Sequence, residues 1–265
     1  DAVNPNLLSE QVFENEKAQN CLMPMGITSE NVAAEFGVDR ATQDKMAVES
    51  HRKAAHALKM GWSQKEVTPY KTFVKDKDGN QKEVLVDKDD GCRPQTTFEG
   101  LQKLKPAFQK NGTTTAGNSS QVTDGAAAIL LCRRDVANKL GCKILGRIVS
   151  YAVAGVPPKV MGIGPAYAIP AALKKGGLGM DDIDIFEINE AFASQASYCV
   201  KKLNVPAEKL NPRGGAIALG HPLGMTGARM IVTLFHELER TNKKRGLVSM
   251  CIGTGMGACG VFERE

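Results

Sequence analysis

Apolar positions divide the chain into a first half of polar-faced helices and loops and a second half of buried strands alternating with helices. Thr28-Ser29-Glu30, followed by NVAAEF and Gly37, has the polar start and glycine stop of a short helix. Asp39 opens a longer one through Met46, Ala47, Ala54, Ala55 and Leu58 to Gly61. Thr72-Phe73-Val74 and residues 83–86 flank KDKDGNQ, which predicts a hairpin around Asp78-Gly79. Residues 87–123 hold no long periodic run and end in GTTTAGNSSQVTDG. They predict a long irregular loop, of the kind that carries function or is disordered.

From Gly125 the pattern changes. AAAILLCRR is a continuous apolar run, fitting a strand buried on both faces or a core helix. ILGRIVSYAV (144–153) predicts a second strand, residues 162–173 a small-residue helix containing Pro170, and DIFEI (184–188) a strand. Residues 190–203 carry Phe192, Ala193, Ala196 and Val200 at helical spacing, and Met230, Ile231, Leu234, Phe235 and Leu238 mark another helical stripe. Residues 246–252 and 258–263 predict two strands joined by GTGMG. The order β-α-β-α-β-β after about residue 141 describes an α/β layer with covering helices.

Composition narrows the function classes. With 42% hydrophobic and 24% charged residues over 265 positions, the chain can build real cores, and wholesale disorder is excluded. No stretch approaches 18 consecutive apolar residues, so no membrane span is predicted. Residues 141–265 hold 18 of the 27 glycines and all of the net +5 charge. That charge forms no basic stripe, and one Trp with four Tyr offers no stacking platform, so nucleic acid is disfavoured; a polyanionic small molecule fits, as does mere solubility. Seven Cys without CxxC or Cys/His spacing argue against a disulfide framework and against a zinc site. Asp1 is not an initiator Met, and residues 1–20 resemble neither a signal nor a transit peptide, so the chain reads as opening mid-protein or after processing.

Four segments combine reactive side chains with glycine-rich backbone. Asn189, at a strand-to-helix junction, could hold a water or polarise a carbonyl with its amide, or could simply cap the helix. His221 lies among Gly214, Gly215, Gly220, Pro222 and Gly224. A following helix would place its N-terminal dipole nearby and keep the imidazole neutral as a base, whereas His51, His56 and His236 read as solvated surface residues. Cys251 ends an apolar strand ahead of GTGMG, where Gly253 offers a free N–H. That suits a thiol acting as acid or base beside an oxyanion hole, although a buried inert Cys fits the same pattern. Ser120, in Gly117-Asn118-Ser119-Ser120, could hydrogen-bond an extended ligand or belong to an ordinary polar loop.

GNSS…DGAAAILL, NEAFA, GGAIALGHPLGMTGAR and CIGTGMG, in this order, resemble the thiolase family, most nearly its peroxisomal 3-ketoacyl-CoA type, over nearly the whole chain. The resemblance implies thiolytic cleavage of a 3-ketoacyl-CoA to acetyl-CoA and a shortened acyl-CoA in fatty acid β-oxidation, by ping-pong acyl transfer. His221 would activate a nucleophilic cysteine and, with a water held by Asn189, form one oxyanion hole. Cys251 would shuttle the proton at the α-carbon, and the Gly253 N–H would contribute to a second oxyanion hole. Ser120 would lie along the pantetheine arm. Coenzyme A enters as substrate, with no metal or redox cofactor, and a homodimer in the peroxisome is implied, although FERE at the C-terminus is not an S-K-L address.

Thiolases have two similar α/β domains plus a loop domain, with the nucleophilic Cys in the first, and no residue of this chain matches that motif. The expected fold class is therefore thiolase-like α/β with a mixed sheet. Residues 1–123 are expected as the loop domain, 124–140 as the last strand of a first domain whose remainder would be the chain's missing partner, and 141–265 as the complete second domain. Residues 126–131 would then be a strand without neighbours, and the chain alone sticky. Two functions follow: a thiolase whose N-terminal part lies outside this sequence, or a non-catalytic fragment or truncated paralogue that binds acyl-CoA or pairs with a thiolase subunit.

Overall fold

Residues 7–265 are described by the computed structural model. Two short helices come first, α1 (Glu10–Glu14) and α2 (Glu16–Cys21), the second capped by Asn15 Oδ1, which accepts the Lys17 and Ala18 N–H groups. Helix α3 (Met25–Phe36) begins three residues ahead of the expected polar cap. Thr28, Ser29 and Glu30 are buried inside it because they have tertiary partners. Ser29 Oγ lies 2.7 Å from both Thr114 Oγ1 and Ser194 Oγ, and the Glu30 carboxylate accepts the Thr113 and Thr114 N–H groups at 2.9 Å. The predicted stop holds: Gly37 closes α3 at φ 66°.

Asp39 opens α4 (Arg40–Lys59) as predicted, its Oδ1 accepting the Thr42 N–H at 2.7 Å. His51 on this helix is not a surface residue. It is buried under the turn at residues 91–93, where its Nδ1 accepts the Arg93 N–H. The hairpin forms from β1 (Tyr70–Lys75) and β2 (Gln81–Val86), antiparallel from Tyr70↔Val86 to Lys75↔Gln81. Apart from α5 (Phe98–Gln102), residues 87–123 are irregular, as expected.

Residues 126–131 are not a strand. They run without secondary structure, with Leu130 85% and Leu131 70% exposed, and lead into α6 (Arg134–Lys139). An isolated run has no ladder to satisfy its backbone, so apolar pattern alone does not make it a strand. Cys132 and Cys142, on either side of α6, are also exposed.

The glycine-rich half builds one mixed sheet. Its strands are β3 (Gly146–Gly155), β4 (Ile185–Ile188), β5 (Arg245–Ile252) and β6 (Met256–Arg264), in the order β3-β6-β5-β4. β4 and β5 are parallel; β6 is antiparallel to both its neighbours. Between the strands run α7 (Gly164–Gly176), α8 (Ala193–Leu203), α9 (Ala216–Leu219) and α10 (Thr226–Thr241). On one face Ile169, Ala172 and Leu173 of α7 bury against Phe186, Leu247 and Val261. On the other, Met230, Leu234 and Leu238 of α10 cover Ile185, Val248 and Phe262. Leu234 is fully buried, and cutting such a side chain to Ala costs about 2–5 kcal/mol. This double cover makes all four residues of β4 buried and fixes where its carboxyl end delivers Asn189.

Candidate active site

Strand β4 ends at Ile188, and the chain turns before α8 begins at Ala193, three residues later than the periodicity suggests. Asn189 therefore does not cap a helix; Phe192 occupies that position. The Asn189 N–H bonds Ser249 O on β5, which holds the residue level with the end of the neighbouring strand. Its buried side-chain Nδ2 lies 3.3 Å from His221 Nε2, while its Oδ1 is buried with no partner. His221 follows α9 and Gly220, whose φ is 90° and where an added Cβ would lie 2.4 Å from Thr123 Cγ2.

The other imidazole nitrogen fixes the tautomer. His221 Nδ1 lies 2.7 Å from Thr226 Oγ1, and that hydroxyl donates to Pro222 O at 2.9 Å. Thr226 must then accept from Nδ1–H, which leaves the Nε2 lone pair facing Asn189. Burial, and then the charge of Arg229 on α10, hold the imidazole below its ordinary pKa, so it is neutral and basic at Nε2.

Cys251 stands at the end of β5 and packs with Met161, Ala191 and Phe192. A thiol acting as base would need its pKa pulled towards neutrality by a cation or helix end. Instead its apolar surroundings push it up to about 11, so at neutral pH it carries a proton. Gly253, one turn further, is exposed, and a Cβ there would meet open space. The half-buried Ser120 comes to the same place through backbone pairing: its N–H bonds Ala191 O at 3.0 Å, and Asn118 O accepts the Ala193 N–H. Gln121 O accepts the His221 N–H at 3.0 Å. The four segments thus converge, joined by Asn189–His221, Ala191–Cys251, Ser120–Ala191 and Gln121–His221 contacts.

Sequence reasoning missed Thr226, Glu190 and the Asp44–Asn118 pair. Asp44 Oδ1 accepts Asn118 Nδ2 at 2.9 Å and anchors the Ser120 loop from α4. For Thr226 a signal existed, a hydroxyl five residues after the histidine at a helix start. For the others only tertiary contact identifies the partner.

Two family models cover almost the whole chain: the thiolase N-terminal domain over residues 1–135 and the thiolase C-terminal domain over residues 142–264. The chain belongs to the thiolase family. Among similar thiolases, peroxisomal 3-ketoacyl-CoA thiolase B of Rattus norvegicus is 64% identical over 98% of this chain and 62% of its own length. The peroxisomal 3-ketoacyl-CoA thiolase of Homo sapiens is 62% identical over 99% of this chain and 62% of its own length. The chain thus spans about three-fifths of the curated relatives it matches. The crystal structure of the dimeric peroxisomal thiolase of Saccharomyces cerevisiae superposes with a TM-score of 0.89 at 52% identity, covering 99% of this chain and 65% of that one. Human mitochondrial 3-ketoacyl-CoA thiolase superposes at 0.85 with 42% identity, over 93% and 61%. Among the described residues, no helix of this thiolase chain is long and apolar enough to cross a membrane.

Proposed function

We propose that this chain is part of a 3-ketoacyl-CoA thiolase of peroxisomal β-oxidation, acting as a homodimer on acyl-CoA and coenzyme A. The observation that carries the reading is the Asn189–His221 contact at 3.3 Å beside the Cys251 pocket, in a chain 62–64% identical to peroxisomal 3-ketoacyl-CoA thiolases. Residues 1–123 act as the loop domain, 124–140 as the end of the first α/β domain, and 141–265 as the second. The change of family model between residues 135 and 142 supports the boundary near residue 141.

In this reading the nucleophilic thiolate comes from the remaining thiolase sequence, because none of the seven cysteines here matches the family's nucleophile motif. His221 Nε2 takes the nucleophile's proton. The thiolate adds to the C3 carbonyl, whose oxyanion is held by hydrogen-bond donors. The C2–C3 bond breaks, and its electron pair goes to the acetyl-CoA enolate, stabilised by His221 and a water on Asn189. Cys251 gives its proton to C2. The resulting Cys251 thiolate then takes the proton of the incoming CoA thiol, whose sulfur attacks the acyl-enzyme and expels the nucleophilic cysteine's sulfur, to which His221 Nε2 returns its proton. A thiol pushed up to about 11 suits this direction, since it enters the cycle already carrying the proton it must deliver. The Gly253 N–H lines the second oxyanion hole and Ser120 the pantetheine arm. Coenzyme A is substrate, and the steps call for no metal or redox cofactor.

In the full-length protein, His221→Ala and Cys251→Ala are expected to fold and to lose turnover of a 3-ketoacyl-CoA by about 10²–10⁴-fold each, measured as acetyl-CoA release. An undiminished rate in either variant refutes the assigned roles.

A further inference from the structure

One buried carboxylate beside the site has no part in those steps. Glu190 is fully enclosed, and its carboxylate gathers donors from three separate places: Ser50 Oγ on α4 at 2.5 Å, Asn211 Nδ2 at 2.8 Å and the Ile217 N–H of α9 at 3.4 Å. Ser50 Oγ also accepts the Gly215 N–H at 3.1 Å. A Cβ on Gly215 would lie 2.2 Å from the Glu190 carboxyl carbon, so the glycine backbone rests directly against the acid. Asn211 bonds both backbone groups of Ile188, its Oδ1 accepting the N–H and its Nδ2 donating to the C=O, each at 2.9 Å.

Glu190 immediately follows Asn189, and α9 ends two residues before His221. The carboxylate therefore ties the backbone that carries the amide to the helix that carries the imidazole. The contact it would govern has little slack. At 3.3 Å the Asn189–His221 pair is already at the long end of hydrogen bonding, so a shift of half an ångström would break it. We propose that Glu190 is a positioning residue that sets the Asn189–His221 separation by clamping α9 to the end of β4. This rests on the thiolase reading above. Glu190→Gln keeps shape and volume but turns one oxygen into an N–H₂, whereas Asn211 Nδ2 on one oxygen and the Ile217 N–H on the other can only donate. Either the Asn211 amide or the Ile217 N–H must then move away.

The test is steady-state thiolysis of a 3-ketoacyl-CoA by the full-length protein. Glu190→Gln is expected to lower kcat roughly ten- to a hundredfold, the scale of an ångström-size misplacement, with KM within about twofold. Added to His221→Ala, the same change is expected to lower kcat no further, because the clamp acts through the imidazole. Ser50→Ala breaks the clamp from α4 and is expected to follow the same rule, so it decides the matter if Glu190→Gln does not fold. A wild-type kcat in the folded variants, or an equal loss with and without His221, overturns the inference alone. A wild-type protein without thiolysis overturns the functional reading and this inference with it.

Discussion

At the scale of single residues, the tautomer of His221 is decided by a hydroxyl rather than a carboxylate. Thr226 Oγ1 has its own proton committed to Pro222 O and so can only accept from Nδ1. Thr226→Val removes that acceptor while keeping the shape, leaving a half-buried N–H unpaired at a cost of about 1–3 kcal/mol. The proposed base then loses its preferred orientation. The full-length Thr226→Val variant is expected to show kcat roughly tenfold lower, since about 1.4 kcal/mol is a factor of ten; wild-type kcat at saturating substrate would contradict this. His221, Cys251 and Ser120 were each legible in the sequence as polar or reactive groups beside glycines, and Asn189 as a polar group at a strand-to-helix junction. Their protonation states were not. The periodicity of a strand says nothing of how apolar the end of that strand is, and it is burial that keeps Cys251 protonated.

At the scale of elements, β4 is buried on both faces yet carries a carboxylate. Glu187 shares the face of β4 covered by α10. Its nearest cation is Arg229 at 3.8 Å, its Oε1 has no partner, and burial raises it to about 8 from an ordinary 4.5. A folded-state pKa above the unfolded one means that the folded form keeps a proton the unfolded form gives up. Stability is therefore fullest below about 4.5 and falls as pH rises to about 8. Glu187→Gln is expected to flatten that decline and to stabilise the protein by a few kcal/mol (order of magnitude) at pH 8.5. Urea midpoints at pH 5 and pH 8.5 measure it, and parallel pH trends in the two proteins would contradict the assignment. Element type was readable where local rules and tertiary structure agree, as in α4, the hairpin, β5 and β6. It failed where partners decide: α3 starts early because Ser29 and Glu30 bond residues 113 and 114 and Ser194, and residues 126–131 lie open because no strand among the described residues stands beside them.

Over the whole molecule, apolar surface is distributed unevenly. Val122, Leu130 and Leu131 are exposed on one segment, and Ile148, Tyr151 and Val153 on the edge strand β3. Exposed apolar side chains next to one another along a segment or an edge strand are candidates for a covered surface. Produced by themselves, these 265 residues are expected to bind the dye ANS and self-associate, with amides of 126–131 exchanging within seconds. On the proposed reading, the same amides are expected to be protected in the full-length protein. Rapid exchange there, measured by mass spectrometry, would contradict the expectation.

The hydrogen bond from the His221 amide to Gln121 O has one more consequence. The loop bearing Ser120 and the turn bearing the imidazole are joined backbone to backbone, so a shift in one bears on the other. On the proposed reading, pantetheine-arm occupancy and proton uptake at the ring become thermodynamically reciprocal: whatever protonation does to the grip on coenzyme A, bound coenzyme A does to the ring's affinity for a proton, by the same factor.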